Sequence, residues 1–211
     1  HGSRLFATYF GGEGDDEGLG IDVDNYYRVR VVGRTTSVAG IASDSAAQSG
    51  NAGGDDAFIA RFDSTGNLIW STCIGGGLDD RALAVRAMAE GHAIVCGTTL
   101  SSDLLDTLGI TPVQAHADSA DAFALWIDDG GQVIKATFLG GEAGDALVAV
   151  ALFPNSTAYL VGSTRSATGI SDSTSLSGPR DGWICAVDTA LNVLWSKYVG
   201  GAGDDALTGI A

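Results

Sequence analysis

One long stretch of this sequence occurs three times. Each copy begins with Asp and an apolar segment, passes through a polar turn, continues as a second apolar segment and ends in a Gly-Gly pair; the copies begin at Asp56, Asp121 and Asp181. Gly-Gly pairs begin at Gly11, Gly75, Gly140 and Gly200, which are 64, 65 and 60 residues apart. Self-similarity at a long, nearly fixed period is the signature of a repeat architecture. The sequence therefore predicts one array of similar units.

A second marker keeps the same period. An apolar residue followed by Gly occurs at Val32-Gly33, Cys96-Gly97 and Val161-Gly162, in steps of 64 and 65 residues. Because two independent markers agree, the spacing is a property of the whole unit.

Each unit predicts four short strands, from period-2 alternation and from turn residues between the apolar runs. The predicted strands are 19–24, 28–35, 57–62 and 68–74 in the first unit, 82–89, 93–99, 122–127 and 133–139 in the second, and 147–153, 158–164, 182–187 and 193–199 in the third. The first strand of each unit carries small residues, as a crowded central axis requires: Gly20, Ala82, Ala84, Ala149, Ala151 and Gly209. Four short antiparallel strands per repeat are typical of propeller blades.

The predicted fold is all-β, with three complete β-propeller-type blades, an N-terminal last strand and a C-terminal first strand. Residues 1–3 look like the remnant of an expression tag, and 4–211 is expected to be a single repeat domain. Its units are about 13–74, 77–139 and 142–199, with partial ends 4–12 and 200–211. A closed ring needs at least about four blades, so two open edges are expected. Unpaired edges are templates for other chains, which favours a homo-oligomer or a head-to-tail assembly.

Composition excludes several kinds of partner. The formal net charge of -15 disfavours binding to nucleic acid or to an anionic membrane. No run of 18 apolar residues is present, so membrane insertion is not expected. The three cysteines, Cys73, Cys96 and Cys185, are too few for a disulfide framework and are expected to be small buried residues.

The repeated motifs resemble a known bacterial family. Tyr9-Phe-Gly-Gly-Glu-Gly-Asp-Asp16, Val32-Gly-Arg-Thr35 and the run from Asp56 to Thr72 are similar to the β-propeller repeat called the seven-bladed β-propeller (SBBP) repeat. The third copy departs from it at Gly144, where the first Asp of the acidic pair is missing. The resemblance implies a secreted or cell-surface bacterial protein, usually large and multidomain, and implies no enzyme activity.

The acidic corner that follows each Gly-Gly pair has two interpretations. Carboxylates suit Ca²⁺, which takes several oxygen ligands; alternatively, a single Asp caps the turn by accepting backbone N–H bonds. The candidate residues are Asp16, Asp80, Asp145 and Asp205. Since the second Asp is present at all four corners and the first at only three, the cap is favoured, with no cofactor expected unless Ca²⁺ binds.

No catalytic residues are predicted, and the chain is expected not to be an enzyme. Asp63, Asp128 and Asp188 recur in every unit at the start of a hairpin turn, whereas an active site is normally used once. The chain also lacks a Gly-x-Ser-x-Gly motif and a His/Cys spacing typical of zinc.

The long loops 37–55, 100–120 and 165–180 vary in length and sequence, and recognition residues commonly lie on such loops. We expect them to bind protein or glycan; the candidate residues are Asp44, Asn51, Asp103, His116, Asp172 and Arg180. The sequence favours a non-catalytic, structural or adhesive extracellular module that self-associates through its end strands. The alternative is a lectin-like propeller that binds carbohydrate or Ca²⁺ through these loops.

Overall fold

The computed structural model describes residues 6–117, 119–153, 157–171 and 174–211. They form three four-stranded antiparallel sheets, each made of strands that are consecutive in sequence. The first blade contains β1 (Asp16–Val23), β2 (Val29–Thr35), β3 (Asp56–Phe62) and β4 (Leu68–Ile74). The second contains β5 (Asp80–Ala87), β6 (Ala93–Thr99), β7 (Asp121–Ile127) and β8 (Val133–Leu139). The third contains β9 (Asp145–Leu152), β10 (Ala158–Thr164), β11 (Asp181–Val187) and β12 (Val193–Val199).

The all-β fold with three four-stranded blades is therefore confirmed. All twelve predicted strands are present, and five have the predicted bounds. The first strand of each blade begins two or three residues earlier than predicted, because the corner Asp is itself paired in the sheet: Asp80 lies opposite Thr99. A short 3₁₀ helix, Ala89–Gly91, in the β5–β6 connection was not predicted.

A β-bulge in each first strand explains the second sequence marker. The pairing of first and second strands shifts by one residue next to Gly33, Gly97 and Gly162. At each of these glycines an added Cβ would overlap a carbonyl oxygen of the first strand, that of Glu17, Arg81 or Ala146. Glycine is required here because the two backbones approach more closely than a side chain permits.

Adjacent blades pack face to face through two hydrophobic cores. Trp70, Ile59 and Val32 of the first blade pack with Phe123 and Leu125 of the second. The second and third blades meet through a separate cluster of the same kind, which includes Cys96, Trp126, Leu160 and Trp183. All three cysteines are buried and free, and burial raises the pKa of the Cys73 thiol to about 12.

The first strands of the blades lie side by side around a common axis. A cavity of about 170 Å³ lies among Gly20, Ala84 and Ala149, one from each first strand, and Ile210 of the C-terminal segment also lines it. No side chain fits at Gly20, since an added Cβ would lie 2.9 Å from the Leu83 carbonyl oxygen. Three of the small residues predicted at the axis, Gly20, Ala84 and Ala149, therefore line it.

The two end segments occupy the places of missing strands but form no strand ladder among the described residues. At the N-terminal end, the Phe6 ring lies on Gly66, as the Trp70 ring lies on Gly131 one blade further on. At the C-terminal end, the Leu207 N–H donates to the Gly162 carbonyl at 3.0 Å. The predicted end strands lack regular pairing because most of the strands that would complete their sheets are not in this chain.

The loops and corners share one end of the array, and the tight hairpins lie at the other. Gly53 lies against Gly76 and Gly77, and Gly178 lies against Gly201 and Gly203, so a long loop meets the following corner.

None of the described helices is long and apolar enough to cross a membrane.

Two tryptophans at equivalent positions test the packing between blades. Trp70 is 5% exposed and donates from Nε1 to the Asp129 carbonyl at 2.9 Å, whereas Trp195 is 40% exposed. We expect Trp70→Ala to lower the free energy of unfolding by about 3–5 kcal/mol, because a buried aromatic leaves a cavity when it is truncated. Trp195→Ala should cost less than half as much. Urea unfolding at low protein concentration measures both, and equal losses would contradict this account of the core.

Candidate functional site

The corner aspartates cap the turns between consecutive blades. In each corner, Oδ2 of the Asp accepts the N–H of the second Gly of the Gly-Gly pair, four residues earlier, at 2.7–2.8 Å. The four aspartates are Asp16, Asp80, Asp145 and Asp205. The hydrogen bond that the cap interpretation requires is therefore present at all four corners.

Hydroxyl groups from the end of the second strand complete the cap in all three blades. Ser37, Ser101 and Ser166 donate to the corner carboxylates of their own blades at 2.8–3.0 Å. Thr99 Oγ1 also donates to Asp80 Oδ1. At Asp80 both carboxylate oxygens therefore already accept hydrogen bonds, which a bound cation would have to displace. No group of three or more His, Cys, Asp or Glu side chains in the described ranges could hold a metal ion.

A second carboxylate lies beside each corner between blades. Asp56, Asp121 and Asp181 are the first residues of the third strands, and each accepts a loop N–H through Oδ2 at 2.6–3.0 Å. A Cβ on Gly140 would lie 2.8 Å from Asp121 Oδ1 and 2.6 Å from Asp145 Oδ2. A Cβ on Gly200 would be similarly flanked by Asp181 and Asp205. The first Gly of the corner thus leaves room for two carboxylates, one from each neighbouring blade.

The second carboxylates are almost completely buried. Asp56, Asp121 and Asp181 are each at most 1% exposed, and within the described ranges their Oδ1 atoms have no hydrogen-bond partner. Burial raises the pKa of Asp56 to about 6, with a further contribution from the charge of Asp80. Burial likewise raises the pKa of Asp121 to about 7, with Asp145 adding to it. Two buried carboxylates ionise together only at a cost, so the raised pKa values of Asp56 and Asp121 keep these two carboxyls protonated to a higher pH than an exposed Asp.

The loop residues predicted to bind a partner have mostly local roles. Asn51 bridges its own loop, donating to the Thr35 and Gly54 carbonyls, and Asp103 accepts the Gly77 N–H at 3.1 Å. His116 packs edge-on against Phe138 at 5.1 Å between ring centroids. Arg180 lies 3.4 Å from Asp204 in an ion pair. Asp44 is exposed, and Asp172 lies outside the described residues.

A groove between the second and third blades breaks the repetition. It has a volume of about 460 Å³ and is lined by Gln114, Ser171, Trp183, Trp195 and Ser196, among others. At the preceding junction, Leu104 and Leu105 of loop 100–120 are buried in the core. The lining of this groove includes two indoles, those of Trp183 and Trp195, with amide and hydroxyl groups nearby.

The charged contacts at the hairpin end of the first junction were not predicted from the sequence. Arg30 is fully buried and donates to the Gly91 carbonyl of the second blade. Arg61 forms an ion pair with Asp129 at 2.7 Å. These arginines occupy positions where the other blades have apolar residues, which are Ile94 and Trp126 in the second blade. This departure from the repeat is the sequence feature that could have predicted the charged contacts.

Taken together, the fold and these sites define an all-β repeat protein with blade-like sheets fastened by buried carboxylates. Comparison with protein-family models finds no family that matches the chain, and comparison with curated proteins finds no match.

The paired carboxyls predict an unusual dependence of stability on pH. A carboxyl whose folded pKa lies above its unfolded value of about 4 stabilises the fold fully below pH 4 and loses that contribution as pH rises through its folded pKa. We expect the free energy of unfolding to fall by a few kcal/mol between pH 4 and pH 8, because each tenfold difference in proton affinity between the folded and unfolded chain corresponds to roughly 1.4 kcal/mol.

The variant Asp121→Asn should flatten this slope. The amide oxygen can still accept the Ala117 N–H, but the side chain cannot ionise. Asp44→Asn removes an exposed charge from the same chain and should leave the slope unchanged. Denaturant unfolding at several pH values measures the effect, and a parallel pH profile for Asp121→Asn would contradict the pairing of Asp121 with Asp145.

The corner caps also predict a weak response to calcium. Because the corner carboxylates already accept hydrogen bonds, saturating Ca²⁺ should raise Tm by no more than about 2 °C relative to EDTA, since stabilisation by a ligand follows its occupancy of the native state. A large upward shift that is lost in Asp80→Asn would instead support calcium sites at Asp16, Asp80, Asp145 and Asp205.

Proposed function

We propose that this chain is a non-catalytic, extracellular structural and adhesive module, made of β-propeller repeats of the SBBP type and carried by a larger bacterial surface or secreted protein. One observation carries the proposal: the polar constellations that recur in every blade serve the fold itself. Corner carboxylates accept backbone N–H and hydroxyl groups, and the hairpin aspartates accept backbone N–H groups in their turns. Because these repeated polar groups are used by the fold, we assign binding to the outer surfaces of the blades.

Self-association is part of the proposal. Both outer blades expose apolar side chains, including Ile21 and Val23 on β1 and Val193, Leu194 and Val199 on β12. Apolar surface at the open edges of a repeat array favours contact with another array. Protein or glycan partners at the long loops are the second mode of binding that we propose.

A bead-clustering experiment tests the adhesive function. Beads coated with the folded chain should cluster with one another, because each presents the same exposed edges, and should not cluster with albumin-coated beads. Beads coated with the heat-unfolded chain are the control. Light scattering follows the clusters, and coated beads that stay dispersed at every coating density would contradict the adhesive proposal.

A lectin-like function is the second candidate, and the groove beside Trp195 favours it. Sugar rings are held in proteins by an aromatic face together with amide and hydroxyl groups, and the groove combines Trp195 with Gln114 and Ser171. Binding on a glycan array that is lost in Gln114→Ala, retained in Asp44→Asn and accompanied by no bead clustering would replace the adhesive proposal with this one.

A further inference from the structure

One position of the last strand fastens each blade to the next. In the first blade, Trp70 donates from Nε1 to the carbonyl of Asp129 in the hairpin turn of the second blade. In the second blade, Lys135 occupies the equivalent position and donates from Nζ to the carbonyl of Thr189 in the third, also at 2.9 Å. Trp195 occupies this position in the third blade, which has no complete blade after it.

The face around Trp195 has the composition of a blade interface. Phe153, Tyr159 and Trp195 form a row in which neighbouring ring centroids are 5.9 Å apart. In the second blade, the residues equivalent to Phe153 and Tyr159 are Met88 and Ile94, and both pack in the core against the third blade. The same face of the third blade is left exposed at Phe153, Trp195 and Val199.

The opposite face of the array is incompletely covered. Phe58 and Phe62 of the first blade contact Phe10 of the N-terminal segment, with ring centroids 5.3 and 5.7 Å apart. An apolar cavity of about 310 Å³ remains between that segment and the blade. Phe6 lies on Gly66, where a preceding blade would place the aromatic ring of its last strand, and Phe6 is still 40% exposed.

The two faces are complementary in size. Ala186 of the third blade stands at the position of Trp126, which fills the core between the second and third blades together with Val187. On the first blade, Phe62 stands at the position of Val187. A small residue on one face therefore meets a larger residue on the other, which keeps the volume of the interface similar.

We infer that the exposed face of the third blade docks the first blade of a second copy of this chain. Trp195 then lies on Gly66 of the second copy in place of Phe6 and donates to its Ser64 carbonyl, and β1 of that copy takes the place of residues 205–211. Two copies joined head to tail in this way place six blades around one axis, within the range of about four to eight that closed rings contain. The inference rests on the proposed self-association and specifies its surfaces: the faces of the blades meet, and the end segments are displaced.

Light scattering of the full chain from low to high micromolar concentration provides the test. We expect a concentration-dependent change from 21.4 kDa to twice that mass. Trp195→Ala should raise the dimer dissociation constant at least tenfold, because it removes the ring and the donor together. Ile134→Ala is the matched control: it truncates the equivalent exposed residue of β8 in the middle blade, away from both docking faces, and should leave dimerisation unchanged. Circular dichroism verifies that each variant is folded.

Phe6→Ala separates docking of the faces from pairing of the end strands. Phe6 competes with Trp195 for Gly66, so its removal should strengthen dimerisation several-fold; if the end strands themselves paired, its removal would weaken it. A dimer dissociation constant that is unchanged in Trp195→Ala would overturn the inference and leave self-association standing. A wild-type chain that is monomeric at every concentration would remove both, and a ladder of larger assemblies would overturn the closed pair.

Discussion

Buried carboxylates at the corners between sheets are the interaction on which this structure depends. In each of the three blades, the corner Asp joins the preceding turn to the end of the second strand, because it accepts a glycine N–H and a serine hydroxyl together. The second carboxyl, from the preceding blade, lies against the first Gly of the same pair. A residue with a side chain at that glycine would separate the two carboxyls, so the Gly-Gly pairs and the aspartates form one unit of structure.

The charged contacts are distributed differently from the carboxyls. The corners at the loop end are repeated at each junction, whereas the buried arginines at the hairpin end belong to the first junction alone. Burial and the charge of Arg61 lower the pKa of Arg30, and its contacts with Asp24 offset this. A buried charge is tolerated only when it is paired and hydrogen-bonded. At the first junction, charged and hydrogen-bonded side chains therefore fix how the two blades meet. At the second junction, Ile94 and Trp126 do this by apolar packing.

Most of the fold could be predicted from the sequence because the repeat provides three readings of one pattern. The strands, hairpins and corner caps follow from local alternation and turn chemistry. Asp63 is an example: it follows a strand and accepts the N–H groups of Thr65 and Asn67 within its own turn. Contacts between sheets could not be predicted in the same way. Asp56 and Asp80 belong to different blades, and nothing in either local sequence places one beside the other. Asp56 recurs at Asp121 and Asp181, so the sequence indicates that this position matters. Identifying its partner requires knowing how the blades pack against one another.

The candidate loop residues show the same limit. Asn51 and Asp103 stand in variable polar loops, which favours a recognition role on sequence grounds. In the structure their side chains close the loop on itself or on the neighbouring corner. The groove beside Trp195 depends on how loop 165–180 differs from loop 100–120 in three dimensions, and chain order alone does not reveal such a cavity.

Every sheet is assembled from strands that are consecutive in the chain, and this has a consequence for how the protein folds. Loop closure within a blade spans only a few tens of residues, so the entropy lost in forming a sheet does not grow with the number of blades. The stability of each blade depends only on its own sheet and on the interfaces with its immediate neighbours, as in a one-dimensional chain of coupled units. An outer blade with one such interface has fewer contacts to lose than the middle blade, so the array opens from its ends, and the central sheet is the last to exchange its amide protons.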